Sequence, residues 1–143
     1  MTVKAILSSK GSTVVTIAPA ASLAEAAKLL STHRIGAVIV TGPDAGVIGV
    51  LSERDIVRAL ADRGAAALEL RVEQCMTRRV VTAVEADTVG AIMGQMTAGK
   101  FRHIPVVEND RLVGVVSIGD VVKYRLEEVE RESNAMRDYI LTA

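Results

Sequence analysis

The chain carries one pattern of apolar and polar positions twice. In the segment 14–30, VVTIAPAASLAEAAKLL, the apolar residues Leu23, Ala26, Ala27 and Leu30 recur at helical spacing, and in 80–96, VVTAVEADTVGAIMGQM, Val89, Ile92, Met93 and Met96 do the same. Residues three and four apart share a helix face, so each run predicts an amphipathic helix. The two segments align without a gap, Thr16 on Thr82, Ser22 on Thr88 and Leu23 on Val89. Ser22 and Thr88 stand where a hydroxyl can satisfy the free amides of a first turn, and Glu25 completes a capping box in the first copy only. Short β-branched runs follow: AVIV (37–40) against IPVV (104–107), then VIGVLS (47–52) against LVGVVS (112–117). The connections TGPDAG and ENDR are rich in turn formers, so each pair of runs predicts a β-hairpin. A second helix is expected to start near Asp55 and again near Asp120.

Each copy therefore reads strand, helix, strand, strand, helix, an α+β unit of about sixty residues that would be marginal alone. Two such units are expected to pack face to face about a pseudo-twofold axis. The first repeat is assigned to residues 1–66, a linker and the second repeat to 67–130, and an extension of the last helix to 131–143. Along that helix Val122, Leu126, Val129, Met136 and Ile140 keep an apolar stripe, which calls for contact with another subunit or with the body of the protein. The charged face opposite is expected to be solvated.

Composition changes the picture in three ways. Half of the 143 residues are hydrophobic, yet the only aromatics are Phe101, Tyr124 and Tyr139, so the interior is built from small aliphatic side chains. Seventeen basic and seventeen acidic residues cancel, which argues against nucleic acid as a partner and leaves room for a small anion. The single cysteine, Cys75, rules out an internal disulfide and fits a reducing cytoplasm. It lies in an apolar context that suits a core position better than a nucleophile. No apolar run approaches eighteen residues, so neither a signal peptide nor a membrane span is expected. His33 and His103 form no zinc-type grouping and no P-loop is present, so no enzymatic activity is expected.

The phrases GVLSERDIV (49–57) and GVVSIGDVV (114–122) share Gly, Ser and Asp at fixed spacing. Ser52 and Asp55, like Ser117 and Asp120, fall at a strand-to-helix junction. There they can cap the helix, or they can form a nucleoside phosphate site in which the carboxylate accepts from a ribose diol and the hydroxyl meets a phosphate. In the second reading the upstream glycine allows a ligand to come close.

Two in-register copies of VVT…GxxSxxD, with FRHIPVV before the second hairpin, resemble the cystathionine beta-synthase (CBS) domain. Its tandem pair is called a Bateman module. The likeness covers about residues 3–126, and VKAIL (3–7) and VEQCM (72–76) look like the family's lead-in to each repeat; the length and long final helix resemble stand-alone bacterial CBS-domain proteins. The resemblance implies clefts between repeats that bind adenosine compounds: AMP foremost, with ADP, ATP, S-adenosylmethionine or NAD(H) as alternatives. It places ribose on Asp55 and Asp120, phosphate near Ser52 and Ser117, Thr82 toward Asp55, Thr16 toward Asp120, and Ala37, Val38, Ile104 and Pro105 beside the adenine. Arg54, Arg102 and His103 then serve as donors to a phosphate chain, with Gly119 standing where the first copy has Arg54. The implied function is an energy-sensing regulatory module that reports nucleotide occupancy to an unidentified enzyme or transporter, and the small apolar helix faces at Ala26, Ala27, Met93 and Met96, with the stripe on the final helix, call for a homodimer packed as a flat disc. A ligand-independent dimerisation scaffold on the same fold is the alternative.

Overall fold

The computed structural model describes residues 1–11 and 14–142; Ser12 and Thr13 of the first repeat and Ala143, the last residue of the expected helix extension, lie outside the described residues. The first repeat contains β1 (Thr16–Ile17), α1 having preceded it at Val3–Lys10, then α2 (Leu23–His33), β2 (Ala37–Thr41), β3 (Val47–Ser52) and α3 (Glu53–Arg63). A 3₁₀ turn over Gly64–Glu69 and the short α4 (Val72–Cys75) lead to α5 (Val89–Gly99), β4 (His103–Glu108), β5 (Arg111–Ser117) and α6 (Ile118–Thr142). The expected α+β pair of repeats is what forms.

Local signals account for most boundaries. The hydroxyl of Ser22 accepts from the Glu25 amide while the Glu25 carboxylate accepts from Ser22 N, a complete capping box, whereas Thr88 accepts from Ala91 N with no returning partner. The β4–β5 turn sets both Asn109 and Asp110 at positive φ (52° and 62°), the backbone of a two-residue turn whose twist matches its strands.

One expected strand is absent among the described residues. In the first repeat β1 pairs in parallel with β2, Thr16 opposite Ile39 and Ile17 opposite Val40. In the second the counterpart shrinks to a single bridge at Ala83, whose N–H donates to Pro105 O (2.9 Å) and whose carbonyl accepts from Val107 N (2.9 Å). The next rung of a parallel ladder needs the N–H of residue 105 to donate to the carbonyl of residue 81. Proline has none, and the ladder stops. Ile39 holds the equivalent place in the first repeat, because Ala37 pairs with Ser52 and His103 with Ser117. That register makes His103 the counterpart of Ala37, one residue from the alignment of AVIV with IPVV.

The hydrophobic interior is two clusters, and each takes in the lead-in segment of the other repeat. Val3, Ile6 and Leu7 of α1 are buried with Val89, Ile92, Met96, Ile104, Val106 and Val116 of the second repeat. Val72 of α4 and Met76 are buried with Leu23, Leu30, Val38, Val40 and Leu51 of the first. Backbone bonds fix the exchange: Val3 N donates to Asp87 O (2.9 Å), Val72 N to Ala21 O (2.8 Å), and Val50 and Thr77 exchange two bonds of 3.0 and 2.9 Å. The lead-in helices thus strap the repeats together crosswise.

This exchange also assigns the paired glycines. A Cβ on Gly49 would lie 2.5 Å from Met76 Sδ and 3.0 Å from Thr77 O, and one on Gly114 would lie 2.6 Å from Leu7 Cδ2. The space expected to admit a ligand is filled by the crossing segments. Along α6, Val121 and Tyr124 are buried against the second repeat, and every residue from Glu130 to Thr142 is exposed. No helix among the described residues is long and apolar enough to cross a membrane.

Candidate functional site

Where the end of β3 meets α3, the second repeat closes over the first and leaves a cleft of about 490 Å³. Ser52 is the N-cap of α3, and Asp55 is its third helical residue. Their geometry is reciprocal: Asp55 N donates to Ser52 Oγ (3.2 Å) and Ser52 N donates to Asp55 Oδ2 (2.9 Å). The capping role is therefore filled in full. It consumes one carboxylate oxygen and one lone pair of the hydroxyl. The other oxygen, Oδ1, has the Arg58 guanidinium at 3.9 Å as its charged neighbour among the described residues, and the Ser52 O–H can still donate.

The cleft gathers six of the residues expected at the site: Ala37, Ser52, Arg54, Asp55, Arg102 and His103. Arg54 and Arg102 are exposed, while Asp55 and His103 are half-buried. Burial lowers the His103 pKa, and the nearby ammonium of Lys10 adds to the shift against the opposing pull of Asp120. The neutral imidazole is thereby favoured over the charged one.

Thr82 is exposed and is not among the lining residues; the strand expected to carry it is cut short at Pro105, and the preceding Arg79, Val80 and Val81 line the cleft instead. The crossing of the second repeat toward Asp55 thus occurs through neighbours of the expected threonine. Val38, Ile104 and Pro105 are buried, with Val38 and Ile104 inside the two cores rather than on the cleft wall. Strand alternation explains this, since Ala37 and His103, one residue earlier, face the other side. Thr16 lies exposed on β1.

Residues not anticipated from the sequence complete the site: Glu53, Thr77, Arg79, Lys100 and Phe101. Lys100 takes the left-handed conformation (φ 56°) as the C-cap of α5, which turns the chain so that Phe101 and Arg102 reach the cleft. The rarity of aromatics was a usable signal for Phe101. Four side chains that carry positive charge, Arg54, Arg79, Lys100 and Arg102, face the two acids Glu53 and Asp55 here, although the chain as a whole is neutral. The arrangement offers an apolar wall of Ala37, Val80, Val81 and Phe101 for a flat ring, an acceptor at Asp55 Oδ1, and a cationic rim for phosphate.

The pseudo-symmetric junction at Ser117 and Asp120 repeats the capping geometry, with Ser117 N to Asp120 Oδ2 at 2.9 Å and Asp120 N to Ser117 Oγ at 3.1 Å. It differs in one respect. Lys10, from the end of α1, donates to Asp120 Oδ2 at 2.6 Å and to Val115 O at 2.9 Å. Burial alone would raise the Asp120 pKa, but the Lys10 hydrogen bond, the Ser117 amide and the Lys10 charge outweigh it and hold the carboxyl below its ordinary value. The chain supplies its own cation to this acid, whereas at Asp55 the nearest cation stands off.

Two hairpin-and-helix repeats, strapped crosswise by their lead-in helices around a cleft with a carboxylate at a strand-to-helix junction, define a paired-repeat module. The family model of the CBS domain matches this chain twice, over residues 3–62 and 72–127. The chain belongs to the CBS-domain family. A crystal structure of a CBS-domain containing protein from Agrobacterium tumefaciens superposes with a TM-score of 0.82 at 50% identity, covering 87% of this chain and 92% of that one. The CBS domain pair of the protein MJ0100, solved in complex with 5-methylthioadenosine and S-adenosyl-L-methionine, matches at 29% identity and a TM-score of 0.79 over 90% of this chain and 98% of that one. The mitochondrial CBS domain-containing protein CBSX3 of Arabidopsis thaliana is 32% identical over 120 residues, which are 81% of this chain and 58% of the plant protein. This chain therefore spans little more than half the length of that relative.

Proposed function

We propose that this protein is a non-catalytic regulatory module that binds an adenosine-containing nucleotide in the Asp55 cleft and reports occupancy to a partner protein. The observation that carries the reading is the division of labour at Asp55: Oδ2 caps α3 while Oδ1 remains for a ribose diol, within a cleft rimmed by Arg54, Arg79, Lys100 and Arg102. The adenosine ligands of the MJ0100 pair support the same class. AMP is the leading candidate, and the rim also suits ADP, ATP and NAD(H). The effector is an enzyme or transporter in the reducing cytoplasm, where Cys75 stays a thiol. The module acts as a homodimer, formed not through Ala26 and Met96, which are buried in the two cores, but through apolar side chains that stay exposed.

A thermal-shift screen of AMP, ADP, ATP, NAD, NADH and S-adenosylmethionine tests this directly. A ligand at a hundredfold excess over its dissociation constant stabilises the fold by about 2.7 kcal/mol. Guanine nucleotides serve as the contrast. One observation favours the second reading, a ligand-independent scaffold: both Ser–Asp pairs form complete capping boxes, so they have a use without any ligand. No shift with any adenosine compound selects the scaffold.

A further inference from the structure

We infer that the C-terminal helices of two copies of this chain pair in parallel as a short two-stranded coiled coil. The helix α6 is continuous from Ile118 to Thr142, and its apolar positions 122, 126, 129, 136 and 140 fall at alternating steps of four and three once Ser133 is counted. That is the a/d seam of a heptad repeat. These side chains are unpartnered within the chain: Val122, Leu126, Val129, Met136 and Ile140 are 45, 58, 45, 62 and 67% exposed. They lie to one side of Val121 and Tyr124, which face the body, so the seam is open while the base of the helix is held.

The flanking charges choose the occupant and its direction. With Leu126 at a and Val129 at d, the g positions carry Arg125 and Glu132 and the e positions carry Lys123, Glu130 and Arg137. In a parallel pair each g residue meets the e residue five positions on in the other copy. Arg125 then faces Glu130, and Glu132 faces Arg137, both opposite in sign. In an antiparallel pair e meets e and g meets g, which sets Glu130 on Glu130, Glu132 on Glu132 and Lys123 near Arg137. That is the antiparallel register that covers the whole stripe; shifting it by a heptad pairs Lys123 with Glu130 and Arg125 with Glu132 but leaves Ile140 beyond the partner helix, so only the parallel pair both matches the charges and covers every seam residue. Arg125 also lies 2.9 Å from Glu128 of its own chain, and its five-donor guanidinium can serve both carboxylates. Ser133 places one small polar residue in the seam, where it weakens the pairing and fixes its register.

The inference is independent of any nucleotide, and it is tested in the full chain carrying Cys75→Ser. With Ser133→Cys added, the two sulfurs face each other across an a position, within disulfide reach; with Arg131→Cys, on the outer f position, they do not. Mild oxidation is expected to give a covalent dimer at 133 at least tenfold faster than at 131. Arg125→Glu with Arg137→Glu sets acid against acid and is expected to raise the dissociation constant of the dimer at least tenfold. Adding Glu130→Arg and Glu132→Arg restores it. Far-UV circular dichroism and the thermal midpoint confirm that each variant is folded. Equal cross-linking at 131 and 133, a folded chain that stays monomeric at tens of micromolar, or charge reversal without effect on assembly overturns the inference and assigns the stripe to a different partner.

Discussion

Asp55, which lines the cleft, uses Oδ2 to hold the first turn of α3 and keeps Oδ1 out of the cap, so two substitutions separate its roles. Asp55→Asn keeps a carbonyl for the Ser52 amide and is expected to leave stability within about 0.5 kcal/mol, while Asp55→Ala loses the returning half of the box and costs about 1 kcal/mol. Both remove the charged acceptor. Titration calorimetry with the nucleotide selected by the thermal-shift screen is expected to show affinity ten- to hundredfold weaker for either, about 1.5 to 3 kcal/mol. A loss of affinity that follows stability, absent in Asn and present in Ala, would return Asp55 to a purely capping residue. At the other junction Asp120 is engaged by Lys10, and the depressed carboxyl pKa gives the contact a definite pH dependence. The unfolded chain binds the proton more tightly, so this stabilisation is present above the ordinary carboxylate range and is lost as pH falls through the lower folded-state value. The pair is partly exposed, so its contribution is about 1 kcal/mol or less. Lys10→Met is expected to flatten the acid side of the stability profile measured by urea unfolding between pH 7 and pH 3, whereas an unchanged slope would mean the ion pair adds nothing.

The elements carry their own test in the paired glycines. Gly49→Ala drives a methyl into Met76 and the backbone oxygen of Thr77, and Gly114→Ala drives one into the flexible end of Leu7. The first is expected to cost about 1 to 3 kcal/mol and the second less, because a leucine terminus can yield and a carbonyl cannot. Leu7→Ala alone leaves a cavity at a cost of about 2 to 3 kcal/mol, and combined with Gly114→Ala it is expected to cost less than the sum, since the new methyl enters the vacated space. Thermal unfolding of the three variants measures the coupling, and strict additivity would remove α1 from β5. At this scale much was legible in advance. Apolar spacing and cap residues placed α2, both hairpins and the starts of α3 and α6, and even foretold that Glu25 closes a box that has no counterpart after Thr88. What stayed hidden depends on partners distant in sequence. The loss of the second β1 turns on Pro105 facing an incoming chain, and the duty of Gly49 and Gly114 turns on which helix crosses over them. Similarly, Asp55 could be read at the site from a repeated phrase and Arg102 from the FRHIPVV stretch of the second copy, but Arg79 and Lys100 enter the cleft only through the path of the fold.

For the molecule as a whole, the two cores are separate in space and joined through exchanged helices, so neither repeat can melt without uncovering part of the other. Calorimetry is expected to show one unfolding transition whose calorimetric and van't Hoff enthalpies agree. Two resolved transitions would mean that the straps contribute little.

The crossing of α1 also bears on how the protein is made. On the ribosome α1 emerges ahead of both hairpins, yet Leu7 finds its place against Gly114 only when β5 has been synthesised. Until then the apolar face of α1 waits, and the first repeat, which borrows Val72 and Met76, closes ahead of it. Contacts that join residues so far apart in sequence are slow to form. The second core is therefore complete only when α1 returns across the fold to join β5 and α6.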